Sequence, residues 1–281
     1  REEDRIRDGT LILLQGGGNF GDLWRWVQEE RLAVLRRHPN NPALIFPVSC
    51  WYEDQALLRQ DADRLAGHPN LTICARDEAS YQLLVRNFRN RILLVPDMAF
   101  FVDPVPLRKR MASRPTGALY VKRTDKELVE SQGGMPEALP AGLTVADWPS
   151  VETAPWHWAL YNHLLKWGRN ARRKRGIWRV ADPVVKLSDW FYHQISRRLL
   201  IQQGAAFIGR HRTIYSTRLH AAILAILLDK EVQIMDNTYG KNSGFYQTWL
   251  GDTDGVRLGN GFCEARNDCA QTMLIHPAGM A

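Results

Sequence analysis

The segment TLILLQGGGNFGD, residues 10–22, places an apolar run directly before four closely spaced glycines, and an amphipathic stretch follows it. The apolar run has the length of a buried strand, and Leu23, Val27 and Val34 then share one face of a helix. A strand, a glycine-rich turn and a helix in this order are typical of a parallel α/β sheet. Glycines at this point let the backbone approach a ligand closely, and the helix start offers unpaired N–H groups.

Strand-length and helix-length segments continue to alternate on both sides of a proline-rich, basic connection, residues 106–117. Such a composition is typical of an exposed linker between domains. We therefore predict an α/β protein with two Rossmann-like domains, an N-terminal domain over residues 1–105 and a C-terminal domain over residues 118–281.

The second domain contains the elements on which the candidate site depends. Residues 213–217 are a predicted strand, and residues 218–228 are a nearly all-apolar helix that begins where this strand ends. The apolar character of the helix indicates that it is buried. We also predict a helix that opens with a capping box at Thr124 and Glu127, and a short strand at residues 205–208.

The overall composition is that of a globular protein with anionic partners. The chain of 281 residues is 45% hydrophobic, enough for a large core in one or two domains. Its formal net charge of +7 favours phosphates, phospholipid surfaces or nucleic acid. The basic residues form no continuous stripe with a known reader motif, so no nucleic-acid partner is expected. No apolar stretch reaches the roughly 18 residues of a membrane-spanning helix.

The four cysteines, Cys50, Cys74, Cys263 and Cys269, have neither C-x-x-C spacing nor a histidine in zinc-finger register. They are predicted to be reduced thiols of a cytoplasmic protein, and neither a disulfide nor a metal site is expected. Because the chain has no initiator Met and no signal-like apolar core, we expect it to begin inside a longer gene product.

Positive side chains recur where predicted strands of the second domain end. Arg218 and His220 stand at the start of the apolar helix, and Arg123 follows the first strand of that domain. The carboxyl ends of parallel strands meet at one edge of a sheet, so these groups predict a socket for a small dianion. Lys241, at the end of DNTYGK, would add charge for a phosphate. Three alternatives stay open: Arg218 pairs with a structural carboxylate, His220 lies in the core, and DNTYGK is only an Asx-type turn.

The glycine cluster of residues 16–22 matches neither of two phosphate-binding motifs. It is not G-x-G-x-x-G, and no Lys-Ser or Lys-Thr pair follows it, which argues against a dinucleotide or Walker-type site. The alternative to a ligand-binding loop is a tight turn in which Asp22 caps the following helix.

Several segments, taken in order, resemble the polysaccharide pyruvyltransferase family. They are GGGNFGDLW (16–24), RDEASY (76–81), PDMAF (96–100), KRTDKE (122–127), STRLHAAILAILL (216–228) and DNTYGK (236–241). The resemblance covers most of the chain and implies ketal pyruvyl transfer from phosphoenolpyruvate to a sugar of a bacterial exopolysaccharide or its lipid-linked precursor. It also implies a GT-B-like fold whose two domains face a central cleft.

Two departures from the family pattern accompany this resemblance. Family members have a strand and a helix upstream of the glycine cluster, so the first domain is expected to be truncated at its N-terminus. PVSCWY, residues 47–52, stands where the family often has a P-Q-S segment, which affects one side of the acceptor pocket.

The resemblance also assigns roles to individual residues. The phosphoenolpyruvate set that carries over is Arg123, Arg218, Leu219 through its backbone, and His220, to which we add Lys241 for its charge. The acceptor set expected in the first domain is Gly17, Gly18, Asn19 and Asp22. His220 is the hypothesised proton carrier, and Asp22 or Asp97 the group that activates the sugar hydroxyl. No cofactor besides the co-substrate is expected.

A basic and aromatic run, residues 156–178, interleaves tryptophan with arginine and lysine. This pattern is typical of contact with a membrane surface or with the diphosphate of a lipid-linked oligosaccharide, and it predicts peripheral association with the inner face of the cytoplasmic membrane. A solvated helix is the alternative. The main alternative function is a GT-B-type glycosyltransferase with a nucleotide-sugar donor, which would share the two-domain cleft.

Overall fold

The structure, a computed structural model, describes residues 6–109, 111, 114–123, 142–149, 155–173, 178–236 and 240–259. Their contacts divide the chain into two compact units. Residues 6–102 and 234–259 belong to the first unit, and the described residues between 103 and 233 belong to the second. The predicted domain limits stay a prediction.

The first sheet consists of parallel strands in the order β1-β3-β4-β5, with β2 paired to β3. Its strands are β1 Ile12–Leu14, β2 Gly17–Gly21, β3 Ala43–Trp51, β4 Leu71–Ala75 and β5 Arg91–Leu94. The helices that follow β2, β3 and β4 are α1 Arg25–Arg37, α2 Gln55–Ala66 and α3 Glu78–Asn87. A 3₁₀ turn, Met98–Phe101, follows β5. This alternation confirms the predicted α/β class.

Aspartates start two of these helices. Asp54 accepts hydrogen bonds from the first-turn amides of α2, and Asp77 accepts one from Ser80 N in α3. Such caps satisfy amides that have no partner within the helix. The centre of the sheet is dry, because Ile45, Val48 and Ile73 are fully buried between the layers.

Most of the glycine cluster forms strand β2, which was not predicted, and the alternative of a tight turn capped by Asp22 is wrong. Its pairing with β3 shifts register between Gly17 and Phe20. Gly21 has a φ of +121°, and a Cβ there would collide with the carbonyl of Trp51. Glycine therefore lets this irregular strand lie close against β3. Asp22 does not cap α1, since the cap residue is Trp24.

The second sheet has the order β10-β9-β8-β6-β7. Its strands are β6 Ala118–Val121, β7 Thr144–Ala146, β8 Thr213–Ser216, β9 Glu231–Ile234 and β10 Val256–Leu258. Strand β6 pairs in parallel with β7 and β8, and its last residue, Val121, lies opposite Ala146 and Ser216. Three strands therefore end side by side, which brings the residues that follow them to one edge.

Helices accompany this sheet in chain order. They are α4 Val105–Arg108, α5 Trp156–Arg173, α6 Trp178–Phe191, α7 Arg197–Gly209 and α8 Leu219–Leu227; α9 Lys241–Trp249 belongs to the first unit. A π-helical turn, Tyr192–Ser196, joins α6 to α7 without a break.

The predicted strand at residues 205–208 is wrong, because these residues lie inside α7. Ala205 and Ile208, three residues apart, are buried on one face of the helix. Gly204 on the same helix lies against Trp148, where an added Cβ would come within 3.0 Å of the indole. A short apolar run cannot distinguish a strand from a buried helical segment. The predicted capping box at residues 124–127 lies outside the described residues.

Candidate functional site

The edge of the second sheet brings Arg123 next to the start of α8. Thr217 follows β8, and its amide donates to Val121 O at 3.1 Å. Its hydroxyl accepts from Arg123 N at 2.9 Å. The next residue, Arg218, is the N-cap of α8. The ends of β6 and β8 are thus fastened together, and the predicted adjacency of the Arg123 and Arg218 backbones is present.

The Arg218 guanidinium forms a bidentate ion pair with Asp147. Nε donates to Oδ1, and Nη2 donates to Oδ2 at 2.7 Å. The Asp147 side chain is fully buried, whereas 18% of the Arg218 side chain is exposed. Asp147 Oδ1 also accepts from Trp148 N at 2.6 Å. The alternative that Arg218 meets a structural carboxylate is therefore correct, and the pair holds the guanidinium at the helix start.

Asp147 is a site residue that the sequence analysis missed. It follows β7 directly and so stands at the same sheet edge as Arg123 and Arg218. The sequence contained one indication of it: Asp147 follows a short run with the β-branched residues Thr144 and Val145. That run lies in a turn-rich stretch, and no strand was predicted there.

His220 lies in the first turn of α8 and is exposed, whereas its neighbour Leu219 is buried. His220 is therefore not a core histidine. The first turn of a helix presents amides without intrahelical acceptors and the positive end of the helix dipole. An exposed imidazole, a guanidinium and these amides together suit an anionic ligand.

Lys241 lies in the first unit, beside the glycine strand. Its Nζ donates to Gly18 O at 2.9 Å. The sequence analysis placed Lys241 with the donor set and Gly18 with the acceptor set, and the structure joins these two residues directly. Asp236 accepts from the amides of Asn242 and Ser243, so its side chain caps the first turn of α9, as in an Asx-type motif.

Asp97 is buried beside Arg76. Arg76 Nη1 donates to Asp97 Oδ2 at 2.7 Å, and Nε donates to Ser49 Oγ at 2.9 Å. The same serine donates to Asp77 at 2.5 Å. Arg76 was missed as a site residue, although it follows β4 directly and opens the quoted RDEASY segment. Asp97 also accepts from Ala99 N and so caps the 3₁₀ turn.

Asp22 stands in a more open place. It lines a surface depression of about 510 Å³ together with Leu23, Trp51, Glu53 and Asp54. Its Oδ2 accepts from the amides of Glu53 and Asp54 at 2.7 and 2.8 Å. These bonds orient the carboxylate. Of the two candidate bases, Asp22 lines this depression, whereas Asp97 is buried in its ion pair with Arg76.

Asn19, from the acceptor set, is held by a buried arginine. Arg31 Nη2 donates to Asn19 Oδ1 at 3.0 Å and to Gln15 O at 3.1 Å, and the guanidinium lies over the Phe20 ring. Burial lowers the pKa of Arg31 to about 10. Among the described residues, no three His, Cys, Asp or Glu side chains converge as a metal site requires.

The sequence profile of the family described as polysaccharide pyruvyl transferase matches residues 2–238. The chain belongs to the polysaccharide pyruvyl transferase family. This polysaccharide pyruvyl transferase is 31% identical to EpsO of Bacillus subtilis (strain 168) over 260 residues, which are 90% of this chain and 74% of EpsO. It is 30% identical to Pyruvyl transferase 1 of Schizosaccharomyces pombe over 251 residues, which are 88% of this chain and 56% of that protein.

A solved structure, of an uncharacterized protein from Klebsiella pneumoniae, covers 92% of this polysaccharide pyruvyl transferase and 78% of its own chain. The TM-score is 0.53 at 17% identity, so this similarity concerns the fold alone. Family membership confirms the resemblance found in the motif order. It shows that the protein is a transferase, and the family implies a saccharide acceptor.

Proposed function

We propose that this polysaccharide pyruvyl transferase moves the pyruvyl group of phosphoenolpyruvate onto two hydroxyls of a sugar, forming a ketal on a bacterial exopolysaccharide or its lipid-linked precursor. The observation that carries the proposal is the arrangement at the start of α8. There Arg218 is held by buried Asp147, His220 is exposed, and Thr217 ties Arg123 to the same edge.

Phosphoenolpyruvate has a carboxylate and a phosphate, and each needs positive hydrogen-bond donors. Asp147 orients the Arg218 guanidinium through its Nε edge, and this oriented cation would attract the substrate anion. The Leu219 amide and its neighbours add donors at the positive end of the helix. Arg123, which Thr217 ties to the same edge of the sheet, completes the proposed donor set of the second unit. Charge that develops on the departing phosphate would be stabilised by groups that do not need to reorganise.

The reaction requires an acid and a base. His220 would donate a proton to the terminal methylene carbon while a sugar hydroxyl oxygen bonds to the central carbon and Asp22 accepts that hydroxyl's proton. The bond from the central carbon to the phosphate oxygen then breaks, and phosphate leaves. A second hydroxyl attacks the same carbon and passes its proton to His220, which gave up a proton in the first step, and this closes the ketal. We prefer Asp22 to Asp97 as the base because Asp97 is buried in its ion pair with Arg76.

Mass spectrometry of lipid-linked glycans incubated with phosphoenolpyruvate tests this proposal, since one ketal adds a defined mass. We expect His220→Ala and Arg218→Lys to abolish the product while circular dichroism shows an intact fold. His193→Ala, at an exposed histidine of the π-helical turn, is the matched control and should retain full activity. Full activity in the His220 variant would remove its role as the acid.

A ligand-protection assay separates this function from a GT-B-type glycosyltransferase. A ligand that binds only the native state raises the unfolding temperature. Phosphoenolpyruvate should protect the wild type, and UDP or GDP should not. Protection by a nucleoside diphosphate alone would favour the glycosyltransferase.

We also propose that α5 contacts an anionic membrane surface. Trp156, Leu160 and Trp167 lie at positions i, i+4 and i+11 and are 68%, 39% and 44% exposed. The opposite side is used for packing, since Trp158 and Tyr161 form an aromatic cluster with Tyr192. The apolar stripe is therefore left at the surface.

The charge of this region suits anionic lipid. Residues 156–178 contain six lysines and arginines and no acidic residue. Exposed tryptophan beside basic residues is the composition of a helix that lies in a membrane interface. No described helix is both long and apolar enough to cross a bilayer.

Sedimentation with anionic vesicles tests the contact. Wild-type protein should sediment at low salt and be released as salt rises, because the attraction to anionic lipid is screened. The double variant Trp156→Ala, Trp167→Ala should stay in the supernatant. Trp26→Ala, at a tryptophan of α1 that is 62% exposed, is the matched control and should behave like wild type. Equal sedimentation of all three proteins would refute the assignment of α5.

A further inference from the structure

Asn19 lies at an irregular point of strand β2. Gly17 pairs with Val48 and Phe20 pairs with Cys50, so β2 has one residue more than β3 over this interval. Such a bulge leaves a residue outside the regular ladder and is over-represented next to active sites, where it redirects a side chain. The pairing with β3 therefore does not by itself fix the direction of the Asn19 side chain.

Arg31 of α1 holds the Asn19 side chain. Its Nη2 donates to Asn19 Oδ1 at 3.0 Å and to Gln15 O at 3.1 Å, so one nitrogen contacts both the bulge and the residue shortly before the strand. Its Nη1 donates to Gln28 Oε1. Gln28 is fully buried and donates in turn to the Tyr52 hydroxyl at 3.4 Å. The guanidinium is thus held by α1 on one side and holds the glycine segment on the other.

The contact with Arg31 decides which end of the Asn19 amide faces away from the guanidinium. Arginine has N–H donors and no acceptor, so Oδ1 faces Arg31 and Nδ2, with its two N–H donors, points elsewhere. Within the described residues, the bond from Arg31 is the one hydrogen bond of the Asn19 side chain. The buried side-chain atoms without a partner in that part of the chain are His68 Nδ1 and Asn90 Oδ1, so Asn19 Nδ2 is open to solvent. The bulge therefore presents an oriented NH₂ group.

Arg31 is a costly residue at this position. It is 4% exposed, and in the described part of the chain its hydrogen bonds go to the neutral oxygens of Gln15, Asn19 and Gln28. Burial lowers its pKa to about 10, which still leaves the guanidinium charged at neutral pH. A buried charge without a counter-ion is unfavourable, and a hydrophobic side chain of similar volume would avoid that cost. What arginine adds here is the pair of hydrogen bonds to Gln15 and Asn19.

We propose that Arg31 is a positioning residue for pyruvyl transfer, which holds Asn19 so that its Nδ2 donates a hydrogen bond to an oxygen of the acceptor saccharide. This role rests on the proposed function, under which Asn19 belongs to the acceptor set. Arg31 acts through Asn19 and does not contact the saccharide itself. Because the amide is held before the saccharide arrives, less side-chain freedom is lost on binding. A hydrogen bond made equally in the ground state and the transition state affects KM and not kcat.

Steady-state kinetics of a double-mutant cycle test this role. The full chain is assayed with saturating phosphoenolpyruvate and increasing amounts of the lipid-linked glycan that gains the ketal in the mass-spectrometric assay. Arg31→Met and Asn19→Ala should each raise the KM for this glycan about tenfold, equivalent to about 1.4 kcal/mol, with kcat nearly unchanged. Arg31→Met should add little to KM when residue 19 is already alanine, because its target is gone. Arg31→Lys, which keeps the charge and a donor, should restore part of the affinity.

Two further variants separate positioning from stability. Arg25→Met is the matched control, since Arg25 also lies on α1 and holds a buried side chain, Asp61, that is outside the acceptor set. It should lower the urea midpoint and leave KM unchanged. Asn19→Asp should behave in the opposite way, because its carboxylate can pair with Arg31 but cannot donate to the glycan. Its urea midpoint should be no lower than that of wild type, whereas the glycan KM should rise as in Asn19→Ala.

The outcomes distinguish this role from the proposed function. Additive effects on KM in the double variant would overturn the role of Arg31, because the residue would then act on the fold and not through Asn19. A wild-type KM in Asn19→Asp would overturn the donor role of the amide. Both results are obtained with a ketal product and leave the proposed function in place. If no glycan gains a ketal with the wild-type protein, the proposed function fails, and the role of Arg31 fails with it. If Arg31→Met does not fold, Arg31→Lys takes its place in the cycle.

Discussion

Asp147→Asn should show how much the function of Arg218 depends on its orientation by Asp147, because the substitution leaves the charge of Arg218 unchanged. Asparagine has nearly the same shape as aspartate but has one acceptor oxygen and one NH₂ group. At residue 147 it could accept one of the two hydrogen bonds from Arg218, and its NH₂ would face the other N–H as a second donor. The guanidinium would keep its charge and lose its bidentate partner.

The size of the effect follows from burial. The Asp147 side chain is fully buried, so Arg218 and the Trp148 amide provide its stabilisation in place of water. Loss of one charge-assisted hydrogen bond costs about 1.5–3 kcal/mol. Removal of a buried charge returns part of its desolvation cost. A net loss of about 2 kcal/mol in the free energy of unfolding is therefore expected, and the same energy lost from Arg218 positioning would lower kcat/KM roughly 30-fold.

Urea unfolding and steady-state kinetics measure the two effects. The control is Asp229→Asn, because Asp229 pairs with Arg108 at 2.7 Å but is 68% exposed. Asparagine also tolerates the backbone φ of 54° at that residue. An exposed pair contributes about 0–1 kcal/mol, so this variant should be nearly as stable and as active as wild type. Equal losses in the two variants would refute the claim that Asp147 orients Arg218.

Two further predictions concern stability and reactivity in the first unit. Gly21→Ala should cost at least about 3 kcal/mol of unfolding free energy, since the methyl group would collide with the Trp51 carbonyl at a φ that L-residues avoid. The control is Gly251→Ala, at a glycine with no atom within 4 Å of an added Cβ, and equal urea midpoints for the two variants would contradict the prediction. Burial raises the pKa of the Cys50 and Cys74 thiols, which leaves less thiolate at pH 8 than in a free thiol. Both should be alkylated more slowly in the native protein than in urea, as peptide mass spectrometry would show, and equal rates would mean that these thiols are open to solvent.

The parallel strand and helix order of the first unit was largely predictable from sequence, because its buried strands, apart from the glycine segment, are mostly apolar runs between clear turn signals. The glycine segment was not. Its residues have low intrinsic strand propensity, and the pairing of β2 with β3 depends on close backbone approach at Gly16 and Gly21. Local preference was overridden at that place by a tertiary contact.

The candidate site was predictable only in part, for a related reason. Arg218 and His220 were found because a strand and an apolar helix meet at an obvious boundary. Asp147 and Arg76 act through partners that are 71 and 21 residues away in the chain, and pattern reading does not reach such distances. The contact between Lys241 and Gly18 was not predictable either, since 223 residues separate the two.

The π-helical turn at Tyr192–Ser196 changes which side of the continuous helix α6–α7 faces the core. Each α-helical residue advances the phase by about 100°, so one extra residue rotates everything after it by that angle. Leu187 and Trp190 can thus face solvent before the turn, while Gly204 and Ile208 after it meet Trp148 and the core. A one-residue deletion in this turn would hardly shorten the helix, but it would rotate the small-residue face of α7 away from Trp148. This turn should therefore tolerate substitutions far better than insertions or deletions.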